Sequence, residues 1–113
     1  MIEIPWPPSV NSYWRTWKGR VLVSKRGREY RRTVAKLSLY FGFKHYGTDR
    51  LRVTIHAYPP DRRRRDLDNL NKASLDALQA AGVYDDDSQI DDLRIVRCEI
   101  KKFGLLLVEI ETI

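Results

Sequence analysis

The sequence predicts an α+β fold, with two main helices packed on a mixed or antiparallel sheet. Three observations lead there. Residues 51–58, LRVTIHAY, alternate strictly between apolar and polar side chains, the period of a half-buried strand. Two longer stretches, one from Ser24 and one from about Asp68, repeat their apolar residues every three or four positions, the period of an amphipathic helix. The order strand, helix, strand, helix, strand, strand then gathers the helices on one face of the sheet. A chain of 113 residues is expected to form a single domain, 1–113, with enough apolar content for a core.

The elements are taken in chain order. IEIPW is a short strand ended by prolines. The next stretch, PWPPSVNSYW, reads as extended or turning, because a residue before proline is held in β or polyproline geometry. RTWKGRVLVS suits a small hairpin or a strand. Ser24 is placed to cap the first long helix, whose apolar stripe is Tyr30, Val34, Leu37 and Phe41. Its other face is basic, with Lys25, Arg28, Arg31, Arg32 and Lys36. Gly27 is a blemish in that helix and Gly42 a terminator. In 51–58, Leu51, Val53, Ile55 and Ala57 share one face, and Pro59-Pro60 end the strand. The second helix, from about Asp68 to Ala81, turns Leu67, Leu70, Ser74, Leu75, Ala77, Leu78 and Ala81 inward and stops at Gly82. Val96, Cys98 and Ile100 then alternate with charged residues, KKFG turns the chain, and Leu106, Val108 and Ile110 share a face. These last two strands are expected to pair as an antiparallel hairpin.

Composition narrows the function. The formal net charge is +6 and the pI is near 9.7, so a polyanion is the natural partner. The single Cys98 excludes a disulfide framework and a cysteine zinc site, which suits a reducing, cytoplasmic setting. No apolar run reaches membrane-spanning length, and the N-terminus lacks the pattern of a signal peptide. Charge is also unevenly distributed. Residues 1–56 hold twelve Lys/Arg against Glu3, Glu29 and Asp49, whereas residues 66–92 hold eight aspartates against Lys72 alone. Such a cluster in a basic protein repels itself unless something positive sits in it, and a divalent cation would do so.

The densest charge lies in residues 62–72, RRRRDLDNLNK. If the chain is extended at Asp66 and Asp68, both carboxylates point to one side and can share a hard cation such as Mg²⁺. They also suit a plain helix N-cap, and Asp68, Lys72 and Asp76 suit a solvated ladder of ion pairs. Arginine forks grip phosphate without reading sequence, and alternation would give Arg63 and Arg65 a common face. The alternative is a solvated loop. Lys72 is either an ion-pair partner or a stabiliser of phosphate charge.

YDDDSQIDD, residues 84–92, is a second acidic group. It is not an EF-hand, since the sixth position from Asp85 is Ile90 rather than glycine. It is either a bare surface loop or the source of a further ligand for the Asp66/Asp68 pair. His45 and His56 have no spaced partners and suit structural roles. No nucleotide-binding fingerprint is present. Tyr13, Trp14 and Trp17, set among basic residues, suit either stacking on bases or packing in the core.

Together, PWPPSVN and PDRRRRDLDNLNKASLDAL…AGVYDDDSQ resemble the RusA family of Holliday junction resolvases, small endonucleases commonly associated with phages and prophages. The resemblance runs from about Glu3 to Glu111. It implies a Mg²⁺-dependent homodimer, with Mn²⁺ as a substitute metal and no nucleotide cofactor, that cuts opposed strands of four-way junction DNA symmetrically. It implies a catalytic set of Asp66, Asp68, Asp87 and Lys72, the three aspartates holding metal, with Asp86 one residue from the third position. Arg65 matches a basic position implicated in DNA contact, and Arg62, Arg63, Arg64 and Lys72 are expected to join it. Two readings compete: a branched-DNA-binding protein that does not cut, and a metal-dependent nuclease acting on other branched or single-stranded nucleic acid.

Overall fold

A computed structural model describes all 113 residues. The elements are β1 (Ile2–Pro5), α1 (Val10–Tyr13), β2 (Trp14–Trp17), β3 (Arg20–Val23), α2 (Lys25–Phe41), β4 (Leu51–Tyr58), α3 (Asp68–Ala80), a 3₁₀ turn over Asp87–Gln89, β5 (Ile90–Arg97) and β6 (Leu105–Thr112). The main sheet has the order β1-β6-β4-β5, and β2 and β3 form a separate hairpin. The α+β expectation holds, with a mixed sheet.

β4 is the centre of the architecture. Leu51, Val53, Ile55 and Ala57 are fully buried, as their alternation requires, and meet Leu106 and Val108 of β6 and Leu70, Ala73, Ala77 and Leu78 of α3 in one core. The expected β5–β6 hairpin does not form. β6 pairs antiparallel with β4 and β1, while β5 pairs parallel with β4 on its other side. The alternation at Val96–Ile100 catches only the end of a strand that begins at Ile90, among the aspartates. Arg52 of β4 lies in register with Asp92 and bonds it at 2.9 Å, and Arg50 bonds Asp91. Those cross-strand charge pairs help fix β5 beside β4.

α2 starts and stops where its sequence says. Ser24 accepts the Gly27 N–H at 3.0 Å, and Gly42 closes the helix at φ 64°. Phe41, however, is exposed. Gly27 is no blemish. A Cβ there would meet the Tyr13 carbonyl oxygen at 2.5 Å and Val23 Cγ1 at 2.6 Å, so a bare backbone is what lets α2 press against the preceding segment. That segment is itself a correction. Past the prolines, Ser9 opens the short helix α1, and its hydroxyl accepts the Ser12 N–H at 3.3 Å. Tyr13 at its end is fully buried, edge-on to Trp14 and Tyr30.

Candidate active site

The loop between β4 and α3 carries the arginines, and it is organised by Asp61 rather than extended. Asp61 Oδ1 accepts the Arg63 N–H at 2.8 Å and Arg65 Nη1 at 2.6 Å. These bonds, Arg65's first, hold the Asp61 carboxyl down at about 2. The Arg65 guanidinium also lies 5.7 Å from the centre of the Trp6 ring, and its carbonyl accepts Arg97 Nη2 at 2.7 Å. Bends in the loop defeat the simple alternation: Arg63, Arg64 and Arg65 all line one groove of about 620 Å³, and Arg62 lies outside it. The lining also includes Trp6-Pro7-Pro8, Ser12 and Arg26, so the PWPP stretch shapes the groove as well as the core edge. Asp66 stands in the same lining.

At Asp66–Asp68 the chain has already begun to coil. Leu67 has φ −63° and ψ −34°, and the Asp66 carbonyl accepts the Asn69 N–H at 3.2 Å. The two carboxylates therefore do not share a side as extended neighbours would. They are not helix caps either, since no side chain caps α3. Asp68 sits in the first turn, where the helix dipole favours an anion.

The ion ladder along α3 also fails to form, because Asp76 is engaged elsewhere. Arg31 of α2 grips it with a two-pronged contact, Nε at 2.7 Å and Nη2 at 2.9 Å, and the buried Tyr13 hydroxyl donates to it. Burial, reinforced by that bond to Asp76, pushes the Tyr13 phenol above its ordinary range. Lys72 consequently has no acidic partner. Asp66, Asp68 and Lys72 are thus exposed and uncommitted, in a molecule where Asp61, Asp76, Asp91 and Asp92 are each paired with an arginine.

The second acidic group divides by role. Asp91 and Asp92 belong to the sheet. Asp86 caps the 3₁₀ turn: its carboxylate accepts the Ser88 N–H at 2.8 Å, and the bonds from Ser88 lower its pKa. Asp87 remains. Its N–H donates to Gln79 Oε1 of α3 at 2.9 Å, and its side chain lines a hollow with Lys72, Asn71 and Leu75 of α3. Partial burial, then the neighbouring Asp86, raises the Asp87 pKa. No three acids or histidines converge closely enough to form a ready-made metal cage. The donor set is nonetheless all-oxygen, and a hard cation that keeps its waters takes one or two protein carboxylates alongside substrate phosphate. Asp66 lines the arginine groove and Asp87 the separate hollow beside Lys72, so each acid suits such an ion by its chemistry, although the three are not gathered into one site.

Two residues that organise the site escaped sequence reasoning. Gln89, almost fully buried, donates from Nε2 to the Gly47 and Asp49 carbonyls at 3.0 and 2.6 Å. Its Oε1 accepts the Asp85 and Asp86 N–H groups at 3.1 and 3.0 Å. Gln79 ties the aspartate turn to α3. Glutamine carries no periodic signal, although the D-x-x-Q spacing of Asp86 and Gln89 is that of a capping box.

Residues 5–111 match the family described as Endodeoxyribonuclease RusA. The crossover junction endodeoxyribonuclease rusA of Enterobacteria phage 82 is 44% identical over 105 residues, 93% of this chain and 88% of its own. The RusA crossover junction endodeoxyribonuclease of Escherichia coli (strain K12) matches to the same extent. That of Enterobacteria phage HK97 is 38% identical over 114 residues, 97% of this chain and 94% of its own. The chain belongs to the RusA family of endodeoxyribonucleases.

Proposed function

We propose that this protein is a crossover junction endodeoxyribonuclease, a hydrolase that resolves four-way DNA junctions. The observation that carries the reading is the uncommitted charge: Asp66 stands bare in a groove lined by Arg63, Arg64 and Arg65, with exposed Asp68 two residues on and exposed Lys72 one helical turn after it. Arginines alone would serve a protein that only binds DNA. Unpaired carboxylates at a phosphate-binding groove repel the ligand, and they make sense when a cation comes between.

The enzyme uses a divalent metal; Mg²⁺ is our assignment, with Mn²⁺ as substitute, and Asp66, Asp68 and Asp87 are the residues that would hold it. Once bound, such an ion lowers the pKa of water and offsets charge on the leaving oxygen. The chain supplies the rest. Arg63, Arg64 and Arg65 position the phosphate backbone, and Arg62 adds attraction from outside the groove. Lys72, free of any acidic partner, stabilises the extra negative charge on phosphorus. Gln79 holds the Asp87 turn against α3, and Gln89 ties it to the loop before β4. The ends left are 5′-phosphate and 3′-hydroxyl. Asp87 rather than Asp86 is assigned the third ligand, because the Asp86 carboxylate is already used as a cap. A two-fold homodimer, one domain per chain and working in the cytoplasm, suits a substrate with two equivalent cuts.

The test is cleavage of an end-labelled four-way junction with Mg²⁺ by wild type and Asp68→Asn, with binding measured separately without metal. Paired symmetric nicks by wild type, and a variant that binds without cutting, are expected. Tight junction binding without cleavage by either protein would make this a structure-selective DNA-binding protein instead.

A further inference from the structure

We propose that the β2–β3 hairpin is a second DNA-contacting element, in which Trp17 stacks on a base exposed at the branch point while Arg15, Lys18 and Arg20 hold the adjoining phosphates. The inference rests on the branched-DNA reading above and deepens it.

Strand pairing sorts the hairpin's side chains. Trp14 lies opposite Val23 and Thr16 opposite Val21; Arg15 lies opposite Leu22 and Trp17 opposite Arg20. Residues directly opposite share a face, and faces alternate along a strand. Trp14 and Val23 pack against the core at the base of the hairpin, while Val21 on the same face is 69% exposed near the tip. Arg15, Trp17 and Arg20 share the other face, and all three are exposed.

Trp17 is 55% exposed, whereas Trp6 and Trp14 are partly buried against the core. A lone exposed apolar side chain needs no explanation. A tryptophan among three free cations is a different object. None of Arg15, Lys18 and Arg20 takes part in an ion pair, and Lys18 Nζ lies 5.8 Å from the centre of the Trp17 ring. Cations that track a backbone beside an aromatic that accepts a base face are the two components of unpaired-strand recognition. The tip is also well defined. Lys18 and Gly19 have φ of 47° and 73°, the positive values that a two-residue hairpin turn demands, and this turn fixes Trp17 opposite Arg20.

The hairpin also stands in the right place. Ser12 lies just before β2 and Arg26 just after β3, and both line the arginine groove. At ~3.3 Å per residue the hairpin extends about 10 Å from those anchors. Nucleic acid that runs on from the groove along the hairpin would meet Trp17 and its cations.

The test measures affinity without metal for a labelled four-way junction and a duplex of matched sequence, using wild type, Trp17→Ala and Trp17→Phe. Trp17→Ala is expected to lose roughly 5- to 100-fold on the junction, the range that one stacked base is worth. It should change little on the duplex, and Trp17→Phe should recover most of the loss. A 2-aminopurine at the branch point should be quenched by wild type and not by Trp17→Ala. If wild type prefers the junction and Trp17→Ala matches it, or loses equally on both DNAs, this inference alone is overturned. If wild type shows no junction preference, the branched-DNA reading falls and takes the inference with it.

Discussion

Gly27→Ala pits local propensity against packing and predicts that packing wins. In an isolated helix the substitution would stabilise by about 1 kcal/mol, since glycine is a poor helix former. Here the new methyl would lie 2.5 Å from the Tyr13 carbonyl oxygen, 2.6 Å from Val23 Cγ1 and 3.3 Å from Tyr13 Cδ2. The nearest of these is backbone and cannot swing aside. The same carbonyl accepts the Ser24 N–H at 2.8 Å, so moving it strains the link between the hairpin and α1. Overpacking costs about 1–3 kcal/mol, and a weakened hydrogen bond adds about 0.5–1.5 kcal/mol. Set against the propensity gain of about 1 kcal/mol, the net destabilisation is about 0.5–3.5 kcal/mol. At roughly 5 °C per kcal/mol for a domain of this size, Tm should fall by about 3–18 °C. Thermal and urea unfolding monitored by circular dichroism would read it, with Gly42→Ala as control. Gly42 has open space around its Cβ position and only its φ of 64° to oppose a side chain. A Gly27→Ala protein as stable as wild type, or more so, would refute the close-approach argument.

The same reasoning extends to three other positions. Gln89→Leu removes four hydrogen bonds from the aspartate turn; at about 0.5–1.5 kcal/mol each it should cost roughly 2–6 kcal/mol, and junction cleavage should fall more than junction binding. Asp76→Asn leaves Arg31 and Tyr13 with a weaker acceptor and should cost about 1–3 kcal/mol, read as a lowered urea midpoint. The Asp61 carboxyl, depressed from 3.8 to about 2 mainly by Arg65, contributes stability that is present above 3.8 and lost as pH falls through about 2. Carbon-detected NMR titration should show it returning toward 3.8 in Arg65→Gln; an unchanged midpoint would remove Arg65 as the cause.

Much of the fold was legible because periodicity and punctuation agreed. Leu51–Tyr58 alternates cleanly and is the buried centre of the sheet, and Ser24 and Gly42 bound α2 by capping chemistry. What failed depended on distant partners. Nothing local distinguishes a β5 that pairs with β6 from one that pairs with β4; the contacts that mark the pairing with β4, such as Arg50 with Asp91 and Arg52 with Asp92, join residues about forty positions apart. Gly27 looked like a defect because the surface it accommodates lies on another element. The same applies to the acids. Asp76 reads as one rung of a helical ladder, yet Arg31 takes it, and Lys72 pairs with neither Asp76 nor Asp68. The basic run and the acid pair point to phosphate only in combination; the groove that Arg63, Arg64, Arg65 and Asp66 line together with Trp6 and Ser12 is a property of the folded chain.

The parallel pairing of β4 with β5 has a consequence for how this chain can vary in length. It places Asp66, Asp68, Lys72 and Asp87 on a single crossover between two neighbouring strands. Each residue added inside α3 rotates the rest of the helix by about 100°. One insertion between Asp68 and Lys72 would carry the acid and the lysine off their common side, and one between Lys72 and Gln79 would part the lysine from the turn that Gln79 anchors. In the Lys101–Gly104 turn between β5 and β6, Gly104 presses on Pro60 and Trp6, and the free length lies at the exposed Lys102 and Phe103. An insertion between Lys102 and Phe103 should leave activity intact, whereas a single added residue within α3 should abolish activity and also lower stability, since it turns Leu75, Ala77 and Leu78 out of the core.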